Sequence, residues 1–341
     1  MSDKTFRIVD SFLFSEPYEK ELLLLKLQLE NKGIDEWIIL ENAYTLQGAW
    51  KGFHAKQVIQ SDERFLPYLS KIVVIEKEYK TKLLPRHVMM DEFSFQAEHV
   101  QRDFAYEHFI NSYNSCDWIM ISDVDEMMDF TDNSRYNELI SKMQSSNDGL
   151  LKVPTKRYWY DFDNEYRVLI GNAMCNKKYL LANNKKLSQV RFENRCILRK
   201  GWRNIIQFEY SGCFDKEFML RKFYTSTHTG LGPEELEKSL LYNHRPVSPA
   251  YIDKVRKDKK FFFETIILTA HNSPATVREN LNNYKTNAID KNYKRNRKEG
   301  YPEAFSVKLH LVTFFSDRVN HLKKKFRFLM RRLKVEKLLY K

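Results

Sequence analysis

CDWIMISDVDEMMDF, residues 116–130, is the stretch whose reading decides the architecture. Residues 118–121 are unbroken apolar chain, the pattern of a central parallel strand covered on both faces. Asp123, Val124, Asp125 and Glu126 stand where that strand ends. Upstream, residues 93–113 carry Phe95, Val100, Phe104 and Phe109 at helical spacing, so a helix is expected to lead into the strand. Further toward the N-terminus, FRIVDSF (6–12) and EWIILEN (36–42) read as strands flanking a helix over KELLLLKLQLE (20–30). ERFLPYLSKIVVIEK (63–77) reads as a turn of helix and then a strand around 72–75. Strand alternating with helix predicts an α/β fold with an open, mostly parallel, Rossmann-like sheet and helices on both faces. Ligands of such sheets sit beyond the carboxyl ends of the strands, where the acidic residues are.

After residue 150 the pattern is mixed. GLLKVPTKRYWYDF (149–162), RCILRKGW (195–202) and NIIQFEYSGCF (204–214) read as strands, and GPEELEKSLLYN (232–243) as a helix with an acidic first turn. No internal repeat is present. KTNAIDKNYKRNRKEG (285–300) suits an exposed basic linker. The expected organisation is one domain over 1–250, in two halves (1–130 and 131–250). A basic helical or linker region (251–300) and a C-terminal helix (301–341) follow.

The chain has 341 residues, 43% of them hydrophobic and 14% aromatic, with ten Gly and nine Pro. That excludes collagen-like and disordered classes and supplies a large core. No run of 18 apolar residues occurs; FFFETIILTA (261–270) is interrupted by Glu264. The N-terminus lacks the layout of a signal peptide. The four cysteines, Cys116, Cys175, Cys196 and Cys213, form no C-x-x-C pair, which speaks against a zinc site and a disulfide framework. The expected location is the cytoplasm.

Net charge is +12, unevenly placed. Residues 251–341 hold 23 Lys and Arg against nine Asp and Glu, leaving 34 against 36 for residues 1–250. A nucleic-acid enzyme would carry positive charge around its active site, so no specific nucleic-acid partner is expected.

Two Asp side chains one residue apart at a strand end can address one divalent cation. Mg²⁺ or Mn²⁺ favours oxygen ligands that leave room for substrate phosphates, and a metal there would neutralise a diphosphate leaving group. The same triplet also serves as a loop or helix cap.

Five segments carry a family likeness: VDSFLFSEPYEKELLLLKLQL (9–29), WIILENAYTLQG (37–48) with Trp50-Lys51 following, RFLPYLSKIVVIE (64–76), QRDFAYEHF (101–109) and WIMISDVDEMMDF (118–130). In these, the first half resembles nucleotide-sugar-dependent glycosyltransferases of the GT-A type, and most of all glycosyltransferase family 17, which includes β-1,4-mannosyl-glycoprotein N-acetylglucosaminyltransferase. The resemblance implies that Asp123 and Asp125 hold the metal and the nucleotide sugar, with Glu126 beside them. Glu41, Thr45 and Gly48 match the family's Glu-x-x-x-Thr-x-x-Gly stretch, and Arg102 and Asp103 its Arg-Asp pair, from which they would face the sugar phosphate. Beyond residue 150 the match thins to RYWYDFD (157–163), Gly201-Trp202, SGCF (211–214) and FYTSTHTGLGPEELEK (223–238), and Arg203 stands where the family has His.

His228, in a polar Thr-Ser-Thr-His-Thr run, is a candidate third metal ligand or diphosphate contact, or an ordinary surface loop residue. An inverting transfer needs a general base. Asp161, Asp163, Asp215 and Glu217 are the candidates, one of which is expected to serve. The activity expected is transfer of a hexosyl or N-acetylhexosaminyl unit from a UDP-linked donor to a glycan or lipid-linked glycan, in surface polysaccharide synthesis. The alternatives are a metal-dependent nucleotidyl- or phosphotransferase and a non-catalytic basic module binding nucleic acid or anionic lipid.

Phe315, Val319, Leu322, Phe326, Leu329 and Leu333 step by 4, 3, 4, 3 and 4, marking one helix face, and residues 323–341 hold nine Lys and Arg and one acid. Stripe and charge together suit a helix lying on an anionic membrane surface through 315–341; a helix docked on its own domain is the alternative. Deletion of 317–341 should release the protein from anionic vesicles while leaving activity on a soluble acceptor nearly unchanged. Co-sedimentation of full-length and truncated protein with anionic and neutral vesicles checks this; equal sedimentation of both would defeat it.

Overall fold

The computed structural model describes residues 5–46, 48–80, 92–159, 162–166, 172–193, 202–211, 213, 263–265 and 267–281. All belong to one compact unit formed by Met1–Ser248 and Phe263–Ile289. The second unit, Pro249–Phe262 with Asp290–Lys341, lies outside the described residues, and so does the expected amphipathic helix over 315–341.

The apolar runs become strands β1 (Ile8–Leu13), β2 (Glu36–Asn42), β3 (Ile72–Lys77) and β4 (Trp118–Asp123). β1 pairs parallel with both β2 and β4, and β2 pairs parallel with β3. Two later strands, β6 (Leu150–Lys152) and β9 (Ala173–Asn176), extend the sheet antiparallel, giving the order β3-β2-β1-β4-β9-β6. Strand order reverses direction between β1 and β4, so the chain crosses from one side of β1 to the other. That switch point opens a crevice beyond their carboxyl ends, where Leu13 and Asp123 are register partners.

Both faces are covered, as the continuous apolar strands require. On one face Ile8, Phe12, Trp37, Ile39 and Met120 pack with the leucines of α1 (Lys20–Glu30) and with α5 (Asn133–Gln144). On the other, Val9, Ile38, Leu40, Ile119 and Ile121 pack with Phe104 and Phe109 of the helical run 92–112 and with α6 (Lys177–Ala182) and α7 (Leu187–Arg191). That helical run divides into α3 (Glu92–Arg102), a 3-10 turn (Asp103–Ala105) and α4 (Tyr106–Ser112).

The strands on either side of residue 130 share both sheets. β5 (Glu126–Met128) starts a second sheet, with β7 (Thr155–Trp159), β8 (Asn164–Tyr166), β10 (Gln207–Ser211) and β11 (Phe263–Thr265), in the order β11-β8-β7-β10-β5. Each sheet therefore draws on both halves of the chain. Within the expected basic helical or linker region (251–300), residues 263–281 belong to the first unit. β11 pairs antiparallel with β8, Arg135 donates to the carbonyl of Ala270, and the Tyr158 hydroxyl donates to that of Asn272. These contacts tie 263–281, including α8 (Ala275–Glu279), into the body of the first unit. Among the described residues no helix is long and apolar enough to cross a membrane.

α1 is buried on nearly every side, so a charge enters the core with it. The Lys26 ammonium is 2.6 Å from Asp10 and 3.1 Å from Glu30, and it donates to Ser122 Oγ at 3.2 Å and to the carbonyl of Glu126 at 2.5 Å. Glu30 also accepts from the indole of Trp37 (3.0 Å) and the amide of Met128 (2.9 Å). All of Lys26, Asp10 and Glu30 are fully enclosed.

Burial raises the Glu30 carboxyl well above its ordinary range, and the Lys26 charge pulls it back. A carboxyl raised above its unfolded pKa of about 4.3 keeps a proton in the native state, so stability declines as pH rises from there toward the folded pKa. Removing Lys26 steepens that decline. Lys26→Met is expected to cost about 3–5 kcal/mol near neutral pH, and less at pH 5 than at pH 8. Urea denaturation at the two pH values measures it, and a pH-independent loss would contradict the network.

Candidate active site

The β1/β4 crevice is a cavity of about 250 Å³. Leu13 and Phe14 line it from the end of β1, Asp123, Val124, Asp125 and Glu126 from the β4–β5 turn, and Arg157 and Glu209 from the second sheet. Tyr44, Thr45, Leu46 and Lys51 come from the loop after β2, and Glu98, Gln101, Arg102, Arg191 and Phe192 from the helical side.

The turn 123–126 is held closed from within. Glu126 accepts from the amide of Asp123 (2.9 Å), from the side chain of Asn172 and from Arg191 (2.7 Å). Burial lifts its carboxyl to about 7 against the pull of Arg191. Asp123, whose side chain is 32% exposed, takes Arg102 on Oδ1 at 2.8 Å and Arg191 on Oδ2 at 3.2 Å. Asp125 is buried rather than a free strand-end carboxylate, and its carbonyl accepts from the amide of Tyr210. Across the cavity Arg157 pairs with Glu209 at 2.6 Å.

The remaining sequence candidates fall into two groups. Thr45 and Arg102 line the cavity; Glu41, Gly48 and Asp103 do not, and they shape it instead. Glu41 is fully buried, accepting from the amides of His54 (2.9 Å) and Ala55 (2.8 Å) at the start of α2 (Ala55–Gln60), and from Lys51 at 2.8 Å. It thereby anchors the loop on which Thr45 sits. That loop is a tight hairpin: the amide of Thr45 donates to Ala49 O (2.7 Å) and that of Gly48 to Thr45 O (2.9 Å). Gly48 has φ +88°, a conformation a side chain would strain. Asp103 accepts from the amide (2.8 Å) and hydroxyl (2.9 Å) of Ser188, seating α7 and so positioning Arg191.

Asp163 is buried and absent from the cavity wall. Asp161, Asp215, Glu217 and His228 lie outside the described residues. Arg203 and Trp202 line a different cavity, with Pro154 and His271, near the starts of β7 and β10. Sequence reading missed Glu19, Glu98, Arg157, Arg191 and Glu209, all on the wall. Glu19 and Arg157 lie in stretches that carry the family likeness without being singled out there, and Glu98, Arg191 and Glu209 lie outside them.

No cluster of three or more His, Cys, Asp or Glu able to hold a metal is found among the described residues. A hard divalent ion needs no such cage, since one or two carboxylates suffice when phosphate oxygens complete its shell. Asp123 and Asp125 fit that donor set. A carboxylate offers about four lone-pair sites, and the described guanidinium contacts of Asp123 engage one per oxygen.

No protein-family model matches the chain, and no curated protein sequence does. Among solved structures, the chain is similar to galactosyltransferase LgtC in complex with donor and acceptor sugar analogs, at 10% identity over 53% of this chain and 61% of that one, with a TM-score of 0.28. It is also similar to mannose-1-phosphate geranyltransferase from Thermus thermophilus, at 12% identity over 70% and 65%, with a TM-score of 0.25. The chain thus spans a little under two thirds of each of these proteins. Likeness at this level decides neither fold nor reaction.

Proposed function

We propose that the chain is a glycosyltransferase of the GT-A type, similar to family 17, that moves a sugar from a nucleotide diphosphate to a glycan or lipid-linked glycan. The observation that supports this most is the cavity at the β1/β4 switch point, which the Asp123–Asp125 pair and three guanidinium groups line together. An α/β sheet binds nucleotides at such a place. Departure of a nucleoside diphosphate leaves negative charge on phosphate oxygens, and preorganised cations aimed there act where charge develops.

Arg102, held at 2% exposure by Glu98 and the carbonyl of Ser122, is a fixed cation. Arg157 and Arg191 face the same space. Mn²⁺ or Mg²⁺ on Asp123 and Asp125 would supply further neutralisation of the leaving diphosphate. Tyr44, Phe95 and Phe192 give the cavity apolar walls against which a base or sugar ring packs. Inversion with a UDP-linked donor remains part of the reading, with Asp161, Asp215 or Glu217 as the proton acceptor. A cytoplasmic place at the membrane surface, in polysaccharide synthesis, completes it.

UDP, GDP or UDP-sugars with Mn²⁺ should protect the protein against thermal unfolding by about 2.7 kcal/mol at one hundred times Kd. Asp125→Asn, which keeps the volume of this buried side chain, should abolish that protection and turnover while circular dichroism stays native. Full protection of the variant would reject the site; protection only by a nucleoside triphosphate with a sugar phosphate would point to nucleotidyl transfer.

A further inference from the structure

The two arginines on Asp123 are held differently. Arg102 is locked, with Glu98 at 2.7 Å and the Ser122 carbonyl at 2.9 Å besides Asp123. Arg191 has a side chain 12% exposed and projects from the five-residue helix α7. Apart from the Ile121 carbonyl (3.0 Å), its contacts are with the acidic turn: Asp123 at 3.2 Å and Glu126 at 2.7 Å. Around the cavity, among the described residues, six carboxylates face four cations, so the wall as a whole is negative. A divalent cation is drawn to it, and the charge of Arg191, already placed on Asp123 and Glu126, opposes that attraction.

We propose that Arg191 is an exchangeable counter-cation that makes metal and donor binding depend on each other; this rests on the glycosyltransferase reading above. Without donor, Arg191 neutralises Asp123 and Glu126 and opposes entry of a second cation. A diphosphate brings the anionic charge that lets both cations share the cavity. Arg191 then leaves Asp123 for phosphate oxygens, which match its planar fork as well as a carboxylate does. Each ligand removes the electrostatic obstacle to the other, and linkage requires the coupling to be equal in both directions.

Calorimetric titration of the full chain with MnCl₂, with UDP or GDP, and with each in the presence of the other tests the exchange without any turnover. In the wild type the nucleotide should tighten Mn²⁺ binding about tenfold, and Mn²⁺ should tighten nucleotide binding by the same factor. Arg191→Gln should bind Mn²⁺ alone about tenfold more tightly than wild type and nucleotide with Mn²⁺ correspondingly more weakly, shrinking the coupling. Arg191→Lys, which keeps the charge, should bind Mn²⁺ alone like the wild type. If Arg191→Gln does not fold, Arg191→Met carries the same expectation.

Unchanged or weaker Mn²⁺ binding in the uncharged variant would overturn the exchange, as would a lysine variant that behaves like it. So would wild-type nucleotide binding that ignores Mn²⁺. A wild type that takes neither UDP nor GDP, with or without Mn²⁺, would overturn the donor-site reading itself, and the exchange with it.

Discussion

One enclosed ammonium group joins the core to the site. Lys26 reaches Asp10 in β1, Ser122 at the end of β4 and the carbonyl of Glu126 in the turn beyond it. Burying such a charge costs several kcal/mol unless each partner is met, and the three elements it meets are those that form the crevice. β1, β4 and the acidic turn are therefore held in one arrangement. Ser122 strengthens it by donating to Asp10 at 2.6 Å.

Around that centre, several side chains that look like ligands act one step back from the cavity. Glu41 caps α2 and fixes the Thr45 hairpin; Asp103 caps α7 and fixes Arg191. These carboxylates accept from the backbone of a neighbouring element, and their value to the site is the position of that neighbour. Among the charged groups on the wall are the carboxylates of the turn and guanidinium groups from three separate elements. On the proposed reading, their balance suits phosphate and cation together better than either alone.

The four parallel strands of residues 6–123, α1 and the helical run 92–112 were legible because their patterns are local, whereas α2 was not read. Four apolar runs at strand length and the long leucine-rich helix report burial directly. The stretch 149–162 was read as strand but not as the two strands β6 and β7, and β9 was not legible, since three- and four-residue strands carry too little period to be recognised. Nor was the second sheet, in which Glu126–Met128 looks like the tail of one strand and pairs as the first of another.

At the site the same line divides what could be read. The acidic turn after an apolar strand is a local signal, and so is the Glu-x-x-x-Thr-x-x-Gly hairpin. Which of these residues reaches the cavity is a tertiary matter. Arg157, Arg191 and Glu209 are marked by no local periodicity and join Asp123 on the cavity through the pairing of β10 with β5 and β7 and the seating of α7. The amino-acid sequence by itself determined the parallel frame and the place where its strands end in carboxylates, because alternation and burial are properties of adjacent residues. Only the tertiary structure decided which charges meet there, because hydrogen bonds between side chains more than sixty residues apart leave no trace in local pattern.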